Sequence, residues 1–290
     1  MANNFVLPKN YTDLLDEVYK KASVTADLVS DSTMVRAGVN VNEICYPKMT
    51  VTGLGDYDRN SGYTNGSVTL DWETVQYNYD RGTKISVDAM DDQESFNLAF
   101  GKAGAELVRT RVAPEADAFT FATLAGLTGI SKATAATYSD ASDFLAALIT
   151  AVNTMDEDEV PEEDRYLYAT PSLLNSVMGL DTTKSREVLA KFAKTQKVPQ
   201  SRFYTAIDLL DGKTSGEEAG HYVKADGGKD INFMIIHKPA IIKYDKHVAN
   251  DIIAPANNPN SDSYILKYRK YGLVDAYENK VAGIYLSHKA

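Results

Sequence analysis

At residues 85–96 the sequence reads ISVDAMDDQESF, and within it one residue pattern gives way to another. Before this point, in residues 46–90, alternating apolar runs are separated by turn-forming glycine, asparagine and aspartate. From 91 to 125 apolar residues recur at helical spacing, and acids occupy the first turn, where the helix dipole favours them. The sequence therefore predicts an extended limb joined directly to one long helix.

The limb holds too few apolar residues for a core of its own. One strand is predicted over Glu43–Val51, and alternation resumes at Val68, with a break at Arg81 and Gly82. The tip between the strands, residues 53–66, is rich in glycine and other turn formers. A two-stranded ribbon is marginal by itself, and its open edge invites pairing with another chain. We therefore expect the limb to lie on another molecule.

The long helix carries its own interruption. Its apolar positions include Phe96, Phe100, Leu107 and Phe119. Pro114 removes one backbone donor and clashes with the carbonyl group four residues earlier. The pattern predicts either a kink at this proline or two helices that meet end to end.

The remaining patterns mix helices and strands. Residues 11–28 have helical spacing and 30–41 are polar and irregular, so the N-terminal region is typical of an arm that fastens to a body. Further helices are predicted over 142–155, from Pro171, and over 185–195. Strands are predicted over 165–170, 202–207, 231–237, 241–244, 263–271 and 280–286. Because no regular strand–helix–strand repeat is present, the sequence favours an α+β fold.

Composition excludes several classes of protein. The formal net charge of −10 over 290 residues argues against a protein that grips nucleic acid over a large surface. The single cysteine, Cys45, excludes an internal disulfide framework, and its apolar neighbours indicate a buried small hydrophobe. No signal-peptide pattern and no apolar run of membrane-spanning length is present, so neither secretion nor membrane insertion is expected.

Catalytic and metal-binding patterns are weak. The acidic loop at 156–164 is a candidate for a divalent cation, but it lacks the alternating spacing of a calcium loop, and a solvated face is the favoured interpretation. The four histidines stand in no metal-binding motif, and no activated serine or cysteine pattern occurs. The sequence predicts no cofactor, no metal and no enzymatic activity.

Four stretches carry a resemblance to a known family. They are RVAPEADAF at 111–119, YTAIDLLDG at 204–212, GKDINF at 228–233 and NKVAGIYL at 279–286. In their order and spacing the chain resembles the major capsid protein of tailed bacteriophages, with the HK97-like fold, over nearly its whole length.

The resemblance implies a division of the chain. It places an N-terminal arm at 1–45, an extended E-loop at 46–90 and an A-domain at 126–250. The P-domain, with its long spine helix, would comprise 91–125 and 251–290. The family's function implies hexamers and pentamers that build an icosahedral shell around packaged double-stranded DNA. The implied location is the virion, with assembly in the host cytoplasm.

The implied assembly interface lies in the E-loop, which would rest on the neighbouring P-domain and bury aromatic surface there. Its candidate residues are Trp72, Tyr77, Tyr79, Arg81 and Lys84. The candidate residues of the spine helix are Phe96, Phe100, Leu107, Pro114 and Phe119. DNA would be enclosed without sequence-specific binding, and no membrane is involved.

Two features that vary within the family give further expectations. Many relatives carry a scaffolding segment of about a hundred residues before the arm, whereas this chain begins almost at the arm, so a separate scaffolding protein is expected. A portal protein and decoration proteins are further candidate partners. Some relatives cross-link an E-loop lysine to a neighbouring asparagine, but nothing around Lys84 marks it for this reaction, and non-covalent locking is favoured.

Two alternatives stay open at this point. An encapsulin-like compartment shares the shell architecture but holds a cargo enzyme. From another class of protein, a metal-binding or hydrolytic domain would use the acidic loop at 156–164.

Overall fold

The computed structural model describes residues 22–30, 36–37, 42–94 and 98–290. For residues 36–37, 94 and 98–101 it describes the backbone only. Most of the predicted helix over 11–28 lies outside these residues, and its described end, Ala26–Leu28, is a 3-10 turn. Of the spine candidates, Phe96 lies outside the described residues, and Phe100 is described without its side chain.

The described strands are β1 (Arg36–Ala37), β2 (Glu43–Val51), β3 (Val68–Gln76), β4 (Tyr79–Asp88), β5 (Ser131–Lys132), β6 (Arg165–Ala169), β7 (Lys194–Lys197), β8 (Ile207–Leu209), β9 (Tyr222–Lys224), β10 (Ile231–His237), β11 (Ile241–Ile253), β12 (Ser263–Ala276) and β13 (Ile284–His288). The described α-helices are α1 (Ala89–Glu94), α2 (Leu98–Leu107), α3 (Ala113–Gly126), α4 (Ala141–Glu157), α5 (Pro171–Leu180) and α6 (Thr183–Ala190). None of the helices in these ranges is both long and apolar enough to cross a membrane.

The predicted junction between limb and helix is confirmed, since β4 ends at Asp88 and α1 begins at Ala89. The predicted interruption near Pro114 is confirmed, and of the two predicted forms the structure has two helices that meet end to end. A π-helical turn, Val108–Val112, joins α2 to α3, and Pro114 lies in the first turn of α3. Proline is tolerated there because the first backbone N–H groups of a helix have no partner within it.

The limb is broken at Tyr77 and Asn78, so the predicted break at Arg81 and Gly82 is wrong. The Asn78 side chain donates to the Val274 carbonyl oxygen at 2.8 Å and accepts from the Val274 N–H at 3.1 Å, which pins the chain as it leaves the ribbon. Gly82 stays inside β4, where a side chain would lie only 2.9 Å from the Tyr268 carbonyl oxygen. Glycine therefore allows close strand pairing at this position.

Strand β4 belongs to the body of the molecule. It pairs antiparallel with β12, which also pairs with β11, in a sheet ordered β11-β12-β4. Tyr79 and Val87 are buried there. The expectation that the whole limb lacks a core in its own chain is thus wrong for its second half, and it holds only for the outer part of the β2–β3 ribbon.

The main core surrounds a five-stranded sheet ordered β5-β13-β10-β6-β7. Every residue of the central strand β10 is buried, because both faces of the sheet are covered. On one face Met234 and Ile236 join Phe121 of α3 and Leu28 of the arm segment. The other face packs against α4, α5 and α6. A sheet with helices on both sides accounts for the apolar run at 231–237.

Several predicted boundaries are wrong for local reasons. The helix predicted over 185–195 ends at Ala190, and the chain then joins the sheet as β7 beside β6. The strand predicted over 202–207 is also wrong: a 3-10 turn, Gln200–Arg202, carries the buried Arg202 side chain inward, and strand β8 begins only at Ile207. The last strand begins at Ile284, because 278–283 form another 3-10 helix.

A buried carboxylate fastens the described arm segment to the spine. Asp117 of α3 is fully buried and accepts hydrogen bonds from the Val24 N–H at 3.0 Å, from the N–H and the hydroxyl group of Thr25 at 3.1 and 2.7 Å, and from the Ser23 hydroxyl at 2.7 Å. The Arg202 guanidinium lies 2.9 Å from the same carboxylate. A buried charge needs this many donors to offset the loss of water.

A buried lysine lies beside this cluster. Lys243 Nζ donates to the Thr25 carbonyl oxygen at 3.0 Å and to the Thr25 hydroxyl at 2.7 Å. Burial lowers the pKa of Lys243 to about 8, although the nearby Asp117 carboxylate opposes this shift. Desolvation therefore outweighs the attraction of the carboxylate at this site.

We expect this lysine to make the free energy of unfolding rise between about pH 8 and pH 10.5. Within that window the unfolded chain binds more protons than the folded chain, so raising the pH favours folding, whereas below pH 8 both states hold the proton. The gain is on the order of 3 kcal/mol. Urea unfolding of the wild type and of Lys243→Met at a series of pH values checks this prediction. The difference between their free energies of unfolding isolates Lys243, because the other titrating groups contribute equally to both proteins. A difference that stays constant across the window would contradict it.

Candidate assembly surface

The outer half of the β2–β3 ribbon has one apolar face. In the antiparallel register Pro47 lies opposite Trp72, Met49 opposite Leu70, and Val51 opposite Val68, so all six side chains share a face. Five of them are well exposed: Met49 60%, Val51 62%, Val68 63%, Leu70 53% and Trp72 49%. A contiguous apolar face of this kind marks a surface that another molecule covers. We call these six residues the ribbon face.

The base of the ribbon is fixed to the body by its opposite face. Ile44 and Tyr46 are buried against Ile242 of β11 and Leu273 of β12. Farther out, the same side of the ribbon turns polar, with Lys48 opposite Asp71. The apolar side of the ribbon therefore changes along its length. At the base the apolar face packs on the body of the molecule, and at the tip the opposite face is apolar and exposed.

A group of polar contacts holds the ribbon base. The Tyr46 hydroxyl donates to Glu73 at 2.5 Å, and Lys48 Nζ lies 2.8 Å from the other oxygen of the same carboxylate. Lys48 also pairs with Glu278 of the body. The Tyr46 ring meets that of Tyr277 edge to face at 4.9 Å. The ribbon therefore leaves the body from a defined base.

A second cluster links β4 to the spine. Arg81 Nε lies 2.7 Å from a Glu115 carboxylate oxygen, and Arg81 also donates to the carbonyl oxygens of Leu210 and His221 at 2.8 and 3.2 Å. The Tyr79 hydroxyl donates to Glu115 at 3.1 Å. Burial alone would raise the pKa of Glu115, but the neighbouring His221, Arg81 and Tyr79 side chains lower it below its usual value. Glu115 is therefore a charged anchor for this corner of the molecule.

The predicted interface residues fall in different surroundings. Trp72 lies on the ribbon face, and Lys84 is exposed on β4 opposite Lys267. The Tyr77 ring packs against the Tyr271 ring, with ring centres 4.7 Å apart and the two planes tilted by 31°. Tyr79 and Arg81 make the contacts within their own chain described above, and they stabilise the point where the limb meets the spine. An interface role for the five residues as a set stays a prediction.

Two of the spine candidates with described side chains, Pro114 and Phe119, pack within the chain. Pro114 is buried, and the Phe119 ring lies 4.9 Å from the ring of Tyr79. Leu107 lines a cleft between the spine and β4.

Sequence reasoning missed Met49 and Val51. At the base of β2 the buried side chains are those of the even-numbered positions Ile44 and Tyr46. Farther along the strand the apolar side chains are those of the odd-numbered positions Met49 and Val51, which point to the opposite face. A single alternation pattern therefore does not describe the strand, because its apolar side changes from base to tip. The signal that finds these residues is the pairing register with β3, which a strand pattern alone does not supply.

The acidic loop at 156–164 is organised by a buried arginine. Arg165 Nε donates to the Pro161 carbonyl oxygen at 2.9 Å, and the guanidinium lies 2.7 Å from Asp156. Across residues 22–30, 36–37, 42–94 and 98–290, no group of three or more histidine, cysteine, aspartate or glutamate side chains is placed to hold a metal ion.

Several solved phage structures have a similar fold. The capsid structure of the cyanophage P-SCSP1u has a TM-score of 0.62 at 11% sequence identity, over 98% of this chain and 93% of that chain. The mature capsid of bacteriophage PhiM1 has a TM-score of 0.58 at 14% identity, over 98% and 92%. A structure from Mycobacterium phage Che8 has a TM-score of 0.62 at 14% identity, over 99% and 98%.

No protein-family model and no curated protein sequence matches the chain. The likeness to the phage structures extends over nearly the full length of both chains. At these identities the likeness shows the fold, and it confirms the α+β, HK97-like fold that the sequence predicts.

Proposed function

We propose that this chain, which has the fold of phage capsid structures, is the structural subunit of an icosahedral phage head. Subunits assemble as hexamers and pentamers into a shell that encloses packaged double-stranded DNA, and the protein is located in the virion. It acts by binding other copies of itself rather than by catalysis. The division into arm (1–45), E-loop (46–90), P-domain (91–125 and 251–290) and A-domain (126–250) is part of this proposal.

The observation that carries the proposal is the ribbon face. Five large apolar side chains on one side of the outer β2–β3 ribbon stay exposed in the single chain, although the ribbon base is well packed. Docking that covers this surface is favourable because it removes apolar side chains from water. A second copy of the chain is the partner that a homo-oligomeric shell supplies.

The geometry suits closed rings. A protruding ribbon and the surface that receives it are different parts of one chain, so contacts of this type run head to tail and close into rings when the rotation permits. The ribbon is joined to its body by the pinned segment at Tyr77 and Asn78, which gives each copy the same projecting limb. These features support non-covalent locking of neighbouring subunits.

Other partners follow from the proposed role. A separate scaffolding protein, a portal protein and decoration proteins are candidates for association with the shell. The net charge of −10 limits adhesion between the shell and the DNA that it encloses. The DNA is therefore contained rather than bound by sequence.

Electron microscopy of the purified protein tests the proposal. We expect rings or closed shells, either from the protein alone or after addition of the scaffolding protein encoded with it. A variant that lacks residues 53–66 serves as the control for folding. It should remain folded, because these residues contribute nothing to the described hydrophobic core. A protein that stays monomeric at all concentrations and with scaffold present would contradict the proposed function.

A further inference from the structure

A cleft lies where three parts of the molecule meet. One wall is the face of the spine that carries Leu107, Arg111 and Glu115, a second is formed by β4 and β12, and a third by the loop at 210–221. The cleft has a volume of about 350 Å³. The Arg81–Glu115 pair lies at its base and fixes the three walls relative to one another.

The cleft has an excess of positive charge. Five basic residues line it, and three acidic residues do so: Arg81, Lys84, Arg111, Lys213 and Lys270 against Glu115, Asp211 and Glu218. This excess occurs in a chain whose overall net charge is −10. The local charge is therefore opposite to that of the molecule as a whole.

The acids of the cleft already have donors of their own. Glu115 is paired with Arg81. Asp211 accepts from the backbone N–H groups of Lys213 and Thr214 at 2.7 and 2.8 Å, and these bonds lower its pKa to about 2. Glu218 accepts from the Gly216 N–H at 3.0 Å. The resident carboxylates are thus satisfied locally.

Three of the five basic residues that line the cleft have no carboxylate partner within the described ranges. Lys270 is paired with Asp245 at 3.0 Å, and Arg81 with Glu115. Lys84, Arg111 and Lys213 are exposed, and none of them forms an ion pair with a carboxylate of the described ranges. An anionic group that enters the cleft would meet all three.

The loop at 156–164 carries the complementary charge. Its residues Glu157, Glu159 and Glu163 are exposed and take part in no ion pair of the described structure. The loop is held in shape from below by the buried Arg165, which bonds its backbone at Pro161 and its first carboxylate, Asp156. Preorganisation of this kind reduces the entropy lost on docking.

We infer that the acidic loop at 156–164 of one copy docks into the basic cleft of a second copy. The inference rests on the proposed function, because a ring of identical subunits needs two different, complementary surfaces on each chain. The contact selects the partner and its register rather than supplying most of the affinity, since charged surfaces at an interface chiefly steer and orient. A single contact of this kind accounts for both the excess of positive charge in the cleft and the excess of negative charge on the loop.

Charge reversal with rescue tests the inference. Arg111→Glu with Lys213→Glu should reduce the yield of shells at least about tenfold, and adding Glu159→Lys with Glu163→Lys should restore it. The matched control, Lys229→Glu with Lys184→Glu, changes the net charge equally at exposed lysines outside both the cleft and the acidic loop and should assemble normally. Normal assembly of the cleft variant would overturn the inference while wild-type shells leave the proposed function standing. Normal assembly with less enclosed nucleic acid would also overturn it, because the cleft would then serve phosphate groups.

A second measurement does not depend on closed shells. Carbodiimide treatment of particles assembled from mixed ¹⁴N- and ¹⁵N-labelled protein joins lysines to carboxylates in direct contact. We expect mixed-isotope links between Lys84 or Lys213 and the acids of loop 156–164 in whatever rings or shells form. If such links are missing from the assembled material, the inference is wrong and the proposed function stands. If no association occurs at all, the proposed function is contradicted, and the inference that rests on it fails too.

Discussion

Replacing Asp117 with alanine is expected to lower the free energy of unfolding by about 3–5 kcal/mol. The carboxylate is fully buried and accepts five hydrogen bonds, including one from Arg202, whose own side chain is buried as well. Removing one member of a buried ion pair leaves the other charge without compensation, which costs about this much. Chemical denaturation of the wild type and the variant measures the change.

Two further variants keep this prediction testable if Asp117→Ala does not fold. Asp117→Asn retains the shape but loses the charge and part of the accepting capacity, so its cost should be smaller but still above about 1 kcal/mol. Asp143→Ala removes an exposed acid near the start of α4 and should change stability by less than about 1 kcal/mol. Equal effects at positions 117 and 143 would show that the buried cluster does not hold the arm to the spine.

Placing a charge on the ribbon face is expected to stop assembly while leaving the subunit folded. Leu70→Asp puts a carboxylate among Met49, Val68 and Trp72, where docking would bury it without a partner. We expect the yield of shells to fall by at least about tenfold. A loss of about 1.4 kcal/mol in the binding free energy of each contact already weakens that contact tenfold. The free energy of unfolding should stay within about 0.5 kcal/mol of the wild type, because position 70 is exposed in the subunit.

The matched control is one residue away. Thr69→Asp introduces the same charge on the opposite, polar side of the ribbon, next to Thr50. It should assemble nearly as the wild type does. Sedimentation velocity and electron microscopy of both variants compare the two sides, and equal yields would mean that the apolar side has no special role in docking.

The sequence predicts the elements whose patterns are decided locally. The acids after Met90 and the return of helical spacing place the start of α1 correctly, and Pro114 predicts the interruption that the π-helical turn resolves. The apolar run at 231–237 predicts a buried strand, and Pro171 begins α5 as expected. Each of these signals depends on residues within one or two turns of the element itself.

The remaining features depend on contacts between distant residues. The end of the ribbon is fixed by the Asn78 side chain on Val274, nearly two hundred positions later in the chain. The turn at 200–202 exists because Arg202 reaches Asp117 in the spine. No local pattern reports such pairings, and for this reason the predicted break at Arg81 and the predicted strand at 202–207 are wrong.

The candidate surface was partly predictable. The alternation of Val68, Leu70 and Trp72 indicates an apolar side for β3, but only the register with β2 adds Met49 and Val51 to the same face. Tyr79 and Arg81 look like interface residues in an extended segment, yet β4 pairs with β12 and both side chains bind Glu115. Which strands pair decides which side chains stay available for a partner.

Trp72 offers the most direct measurement of the central claim, because it is the single tryptophan of the chain and lies half-exposed on the ribbon face. If the ribbon face docks on a neighbouring copy, its fluorescence should shift to shorter wavelength and become protected from acrylamide when subunits assemble. Assembled and unassembled fractions of one preparation give the comparison. The same emission maximum and the same quenching in both fractions would contradict the account.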